Sequence, residues 1–427
     1  EPAPATITVN DAGEAVANDG KCTLREAITS ANSNTASGAA TGECAAGMLG
    51  ADNIVFSLGA GTPTINLTSQ LPIITEPVTI KGNSGGATSI ELNGAGAGAG
   101  ANGLRISAGN STIQRLVINR FSGDGILITG TGFNTIKGCL IGTSANGMTG
   151  QGNNVGIEIR GSSDNTIGGT ELGSRNVISA NTGAGILIAY DTANSLAAAR
   201  NSVLGNFIGT DFVGRVDLGN GGFGVDVAGG SNSIIGGTNT ETRNIISGNN
   251  GGGIKISTNN ASGNTVIGNF IGTDLTGMAP LGNGVAGGGG TAPAILINAS
   301  ANNTIGGTAN GQGNTIRFNK QSGGIIVQDP AATGNRILSN VIDDNAGGLG
   351  IDLGGGGVTA NDLLDVDLGP NNLQNFPTLA TVLVTNNSST ILGQLQSTPS
   401  TNFRIEFFIS PRRDASNKRN GAPSSRP

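Results

Sequence analysis

Short apolar clusters closed by Gly or Asn run along most of this chain. GILIT at Gly125–Thr129, GIEIR at Gly156–Arg160, GILIA at Gly185–Ala189, GVDVA at Gly224–Ala228 and GIKIS at Gly253–Ser257 alternate apolar with variable residues. That is the period of a β-strand with one buried face. The 3.6-residue period of an amphipathic helix is missing here. The strands are too short for a hairpin meander and lack two-residue hairpin turns.

The clusters repeat. NTIGGT at Asn165–Thr170 returns as NSIIGGT at Asn232–Thr238 and as NTIGGT at Asn303–Thr308. GNFIGTD at Gly205–Asp211 returns at Gly268–Asp274, with GCLIGTS at Gly138–Ser144 as an earlier relative. RNVIS at Arg175–Ser179 returns as RNIIS at Arg243–Ser247. Gly168 to Gly236 is 68 residues and Gly236 to Gly306 is 70. Each such period splits into two halves of three strands: a GIxI strand, an Asn-led strand and an N-x-I strand. Three short strands bounded by Gly or Asn make one triangular coil. The fold class expected is therefore all-β, a right-handed parallel β-helix of about ten coils, roughly 50 Å long at strand spacing.

Stacking accounts for the residues that recur. The inward pairs are Ile126/Ile128, Ile157/Ile159, Ile186/Ile188, Val225/Val227, Ile254/Ile256, Ile295/Ile297, Ile325/Val327 and Ile351/Leu353. Branched side chains suit such columns because their χ1 is already restricted. Asn206 and Asn269 recur at the start of the N-x-I strand, where stacked amides can bond neighbouring turns. Cys139 fills that slot in the earlier coil, so a buried free thiol is expected there. Longer turns at Ser144–Val155, Asp211–Phe223 and Asp274–Ala292 follow the IGT strands and emerge along one edge of the rod, a candidate gripping surface.

A solenoid needs capped ends. ITVNDAGEAVANDGKCTLREAITSANSN reads as a strand, a turn and a short amphipathic helix from Thr23. Cys22 and Cys44 flank a Gly/Asn/Ala-rich loop and make a plausible disulfide, which suits an oxidising compartment. At the other end GGLGIDL closes the repeat. TLATVLVTNN, STILGQLQS and NFRIEFF, within 378–408, then alternate like antiparallel strands of a partial β-sandwich. The organisation expected is an N-terminal cap over 1–52, the β-helix over 53–357, an acidic linker loop over 358–377, partial sandwich strands over 378–410 and a disordered basic tail over 411–427.

KCTLREAI, with Cys22, Leu24, Arg25, Glu26 and Ala27 and with Cys44 downstream, resembles the CSLREA-type N-terminal segment of secreted bacterial β-helix proteins; Thr23 stands where the motif has Ser. With the GGT and GTD repeats the resemblance covers residues 6 to about 408. It implies the pectate-lyase-like fold and secretion, and it assigns no activity. Arg25 and Glu26 read as a capping ion pair or helix-dipole pair rather than as reactive groups.

Composition narrows the functions. The chain has 75 Gly, 3% aromatic residues, no His and no Trp, with a net charge of −6. The last sixteen residues hold five basic side chains against Asp414, net +4, leaving −10 on the rest. Such a body repels phosphate backbones, so nucleic acid is not an expected partner. No apolar run approaches the roughly 18 residues of a membrane span. A secreted or cell-surface protein is expected, with no oligomeric state legible.

Catalytic chemistry is sparse. A polygalacturonase-like site needs a Gly-His-Gly segment, and the chain has no His. The outward column of the GIxI strands runs Leu127, Glu158, Leu187, Asp226, Lys255, Leu296, Ile326 and Asp352. Glu158 and Asp226, two coils and about 9.6 Å apart, are the candidate carboxylate pair for an acid-glycan hydrolase or lyase. Leu187 between them speaks against a sugar site, and Asp226 beside Lys255 also reads as a plain ion pair. Asn361, Asp362, Asp365, Asp367 and Asn371 crowd one loop, and Asp362, Asp365 and Asp367 are candidate ligands for Ca²⁺. The function expected is a structural or adhesive rod whose partner is an extracellular polysaccharide or a cell surface. A carbohydrate-active enzyme on acidic glycans and passive glycan binding are the alternatives. Ice binding is disfavoured, since no regular, flat outward Thr array emerges from the columns.

Overall fold

The computed structural model describes residues 4–407, apart from 289 and 387. Three parallel sheets run the length of the molecule and enclose one core, so the chain forms a right-handed parallel β-helix. Among the described residues the Asn-led strands form a sheet of eleven, the N-x-I strands one of ten and the GIxI strands one of nine. At strand spacing the longest sheet spans roughly 50 Å.

The repeat fixes the register. Ile157 lies over Ile126 and under Ile186, and Ile159 over Ile128 and under Ile188. The series continues through Val225, Ile254, Ile295 and Ile325. Those side chains are fully buried. The final pair, Ile351 and Leu353, is only half-buried, because no further coil covers it.

Between these apolar columns stand three columns of buried amides. Along the N-x-I corner, Asn176, Asn206, Asn244, Asn269, Asn314 and Asn340 each pass a side-chain N–H to the Oδ1 of the next, at 2.8–3.2 Å. The second N–H of Asn206 donates to Ile167 O at 2.9 Å, and its backbone N–H to Asn244 Oδ1 at 2.9 Å. Cys139 opens this ladder by donating its backbone N–H to Asn176 Oδ1 at 2.8 Å. Burial pushes its thiol up to about 12, so it stays protonated. A second ladder runs Asn134, Asn165, Asn201, Ser233, Asn264, Asn303 and Asn335. A third runs Asn153, Asn181, Asn220, Asn249, Asn283, Asn319 and Asn345.

The GGT motif follows from close stacking. Gly168, Gly236 and Gly306 adopt φ of 92°, 90° and 83°. A Cβ there would lie 1.9–2.1 Å from a carbonyl oxygen of the next coil.

The two ends differ. Thr6–Val9 pairs in parallel with Asp52–Phe56, so the N-terminal segment supplies the first strand of the eleven-stranded sheet. A helix over Leu24–Ser33 follows, with Thr23 as N-cap and Glu26 completing a capping box. It buries Leu24, Ala27, Ile28 and Ala31 in the core cluster. Arg25 bonds Glu14 at 2.5 Å and Gln70 O at 2.8 Å, so the segment is built for capping. Cys22 and Cys44 are bonded, with Cα atoms 4.7 Å apart. At the far end Asn371 takes the next rung of the second ladder: its Oδ1 accepts from Asn335 N at 2.9 Å and its Nδ2 donates to Asn335 O at 2.8 Å.

Two expectations need correction. Thr378–Val384 and Ser389–Gln394 form an antiparallel hairpin, but NFRIEFF does not add a strand over 402–407. The basic tail expected over 411–427 lies outside the described residues. The second correction concerns threonine. Thr79, Thr112, Thr135, Thr166, Ser202, Ile234, Thr265 and Thr304 do stack in one outward rank. The neighbouring rank mixes Lys81, Gln114 and Lys137 with Gly168, Leu204 and Ile267, so no flat two-rank face results.

Removing one rung strands its neighbours. Asn244→Ala leaves the backbone N–H of Asn206 unpaired and takes one partner each from its side-chain amide and from the carbonyl of Val203. Urea unfolding is expected to show a loss of at least about 2 kcal/mol for this variant. The outward Thr265→Ala is expected to lose no more than about 0.5 kcal/mol.

Candidate functional site

Three outward features bring functional side chains together: the long-turn ridge, the GIxI face and the loop beyond the last coil.

The ridge begins at the IGT strands. After Thr143, Thr210 and Thr273, all fully buried, the chain loops out and returns through bridges to Gly150, Asp217 and Pro280. Asp211 holds its loop by accepting from Arg215 N at 2.8 Å and Val216 N at 3.0 Å. Asp274 accepts from Thr276 N at 3.1 Å and Ala279 N at 3.2 Å, and Ser144 Oγ from Thr149 N at 3.2 Å. An oxygen-bearing residue at one slot thus closes each turn. Successive turns also bond each other, Phe212 N to Gly147 O at 2.9 Å and Leu275 N to Gly214 O at 3.0 Å. Beneath them lies a second apolar cluster outside the core, Val177, Phe207 and Ile245 with Leu140 and Phe270. Gly214 and Gly277 allow the turns to reach it, since a Cβ there would lie 2.9 and 2.8 Å from the Phe207 and Phe270 rings. The tips leave Met148, Phe212, Val213, Leu275 and Met278 exposed, Phe212 at 56% and Met278 at 77%.

On the GIxI face the outward column stacks in the expected order, preceded by Arg105. Leu187 separates Glu158 from Asp226, and each acid has its own cation. Arg160 bonds Glu158 Oε1 at 2.6 and 2.7 Å, and Lys255 reaches Asp226 Oδ2 at 3.4 Å. Glu158 has a closer acidic neighbour that sequence spacing did not reveal. Asp124, in the turn before Ile126, is within hydrogen-bonding reach of it. Asp124 also accepts from Asn154 Nδ2 at 3.2 Å and Val155 N at 3.3 Å. Both acids are over nine-tenths buried. Burial first, then the Asp124 carboxyl, pushes Glu158 up to about 7 against the pull of Arg160. Burial also raises Asp226, opposed by Lys255.

Beyond the last coil, carboxylate oxygens of Asp362, Asp365 and Asp367 lie within 4.8 Å of one another. Asp365 accepts from Asn375 N at 2.9 Å and bonds Ser397, while Asn375 Nδ2 donates to Asp362 O at 2.8 Å and Gln396 O at 2.9 Å. Asp362 Oδ1 and Asp367 Oδ1 are shielded without a partner. Burial, then the Asp362 and Asp365 charges, raises the Asp367 carboxyl. Asn361 and Asn371 stand outside this group: Asn361 pairs with Phe376, and Asn371 belongs to the ladder.

No helix is long and apolar enough to cross a membrane among the described residues. No family model and no curated protein matches the chain. Among solved structures, the crystal structure of the Dettilon tailspike protein aligns with 81% of this chain and 69% of its own, at 16% identity and a TM-score of 0.28. The architecture rests on the strand registers themselves.

The raised carboxyl of Glu158 sets a pH dependence. A carboxyl raised in the folded state contributes stability that is complete below its ordinary value near 4.5 and is lost as pH rises through about 7. The melting temperature is therefore expected to fall between about pH 4.5 and 7. Glu158→Gln, which has no carboxyl left to titrate, is expected to flatten that fall; an unchanged pH slope in differential scanning fluorimetry would contradict it.

Proposed function

We propose that this chain is an extracellular, non-catalytic adhesive rod that binds glycan or cell-surface material along its long-turn ridge. The observation that carries the reading is the ridge itself: three turns fixed to one another, presenting Met148, Phe212, Val213, Leu275 and Met278 to solvent. Exposed apolar groups clustered on a rigid support mark contact surfaces. The Cys22–Cys44 bond and the resemblance to CSLREA-type secreted proteins support an oxidising, extracellular setting. The division into cap, rod, acidic linker, partial sandwich and tail belongs to the same reading.

Retention on insoluble polysaccharides and on whole cells tests it. The wild-type chain is expected to be retained. Phe212→Ser with Met278→Ser is expected to reduce retention about tenfold with little change in melting temperature, since both tips are exposed. Equal retention of the two proteins would refute the assignment to the ridge.

One observation favours a carbohydrate-active enzyme: Glu158, raised to about 7, has the protonation of a general acid. New reducing ends or unsaturated products on acidic glycans, abolished in Glu158→Ala or Asp226→Ala, would establish that reading instead.

Ca²⁺ at Asp362, Asp365 and Asp367 fits the same rod as a brace. Three carboxylates and two unpartnered shielded oxygens suit a hard cation, and Asn375 and Ser397 tie that loop to the hairpin. Added calcium is expected to raise the melting temperature and a chelator to reverse the rise. Asp365→Asn is expected to abolish the response; a wild-type chain indifferent to calcium would remove the ion.

A further inference from the structure

One corner of the rod, where the Asn-led strands hand over to the N-x-I strands, carries a cationic column that no function above uses. By strand register its positions read Arg115, Gly138, Arg175, Gly205, Arg243, Gly268 and Gly313. Arginine and glycine thus alternate from coil to coil over the first six. The alternation has a steric cause. Each arginine lies over the glycine of the next coil, and a Cβ on Gly138 would come within 3.1 Å of Arg115 Nε. Arg175 Nε donates to Gly205 O at 3.2 Å and Arg243 Nε to Gly268 O at 3.0 Å. The guanidinium of Arg175 sits 4.1 Å from the Phe207 ring centroid, and that of Arg243 sits 4.0 Å from Phe270. Two of the three guanidinium groups are therefore held over a ring.

Among the described residues no carboxylate lies within 4.0 Å of Arg115, Arg175 or Arg243, although ten other cationic side chains do form such pairs. The acids of the adjoining loops bond elsewhere, Glu171 to Lys137 and Glu241 to Thr240. The ring and the glycine carbonyl use one face and the Nε of Arg175 and Arg243, and leave their terminal nitrogens without a protein acceptor among the described residues. A guanidinium fork held this way is preorganised for a carboxylate or sulfate.

The spacing selects the ligand. Arginines two coils apart repeat at about 9.6 Å along the rod. A nucleic-acid strand carries a phosphate at about every 3.4 Å, far denser than this column. An extended polysaccharide with one acidic group per disaccharide has a repeat of the same order as two coils. We infer that the Arg115–Arg175–Arg243 column binds a linear anionic glycan lying along the rod, one acidic group per arginine. The inference rests on the proposed glycan adhesion and names its ligand class. Three weak contacts on one chain add through effective concentration.

Hyaluronan, with one carboxylate per disaccharide, is the probe. Chondroitin sulfate, which adds a sulfate, separates carboxylate from sulfate preference, and dextran is the neutral control. Full-length protein is expected to bind immobilised hyaluronan, and binding is expected to weaken about tenfold between roughly 50 and 300 mM NaCl. Arg175→Gln with Arg243→Gln is expected to cost about tenfold or more in affinity. Arg115→Gln gives a second reading that touches neither ring stack, and a loss of about threefold is expected from it. Absence of binding to both acidic polymers at low salt, or binding unchanged in both variants, overturns the inference. If the chain is then still retained on neutral polysaccharide through the ridge, the adhesive reading stands and only the anionic column falls; if it is retained on nothing, both fall.

Discussion

Burying an amide side chain in an apolar core is costly unless every donor and acceptor on it finds a partner. Here each asparagine meets that condition only through the coil above and the coil below. The Oδ1 of one rung accepts from both the backbone and the side chain of its neighbour, as Asn244 does from Asn206. Aliphatic stacking alone tolerates a slip of register, since one isoleucine resembles another. The amides do not: a slip of one residue strands several buried polar groups at once. Three such ladders, one at each corner, hold every coil at one height and one rotation. Everything displayed on the outside inherits that order.

That inheritance explains why the outer features come as periodic rows. The long turns stack because the IGT strands that launch them stack, and a closing oxygen at Ser144, Asp211 or Asp274 gives each the same shape. The arginine column exists because alternate coils carry glycine at the same corner, leaving room for the side chain above. The GIxI face shows the limit of the principle. Its column is regular in position but not in chemistry, and Leu187 interrupts the two acids that sequence spacing had paired. Glu158 finds its real neighbour in Asp124, which belongs to a turn and lies off the column.

Legibility varied with the distance over which an arrangement is encoded. The coil, its inward pairs and the capping helix from Thr23 could be read because each lies within a few consecutive residues. Of the amide ladders only Asn206 and Asn269 stood out, since they sit in near-identical GNFIGTD segments. Asn176 and Asn244 hold the intermediate rungs in differently worded coils, and the ladder through Asn153 and Asn345 lies in turns of unequal length. The threonine rank was missed for the same reason: the Thr residues share a height only after unequal loops are folded out.

The sequence by itself determined the architecture, because a two-residue alternation and a recurrent Gly/Asn punctuation leave a triangular coil as the way to bury so much branched apolar surface. It also placed the acidic loop and its Asp362, Asp365 and Asp367, whose carboxylate oxygens the fold brings within 4.8 Å of one another. Tertiary structure alone decided which outward residues meet: Glu158 with Asp124, Arg175 with Phe207, Phe212 with Gly147. These partners come from different coils or from loops of irregular length. Loop length sets how the register of one coil maps onto the next, and no local pattern of residues reports it.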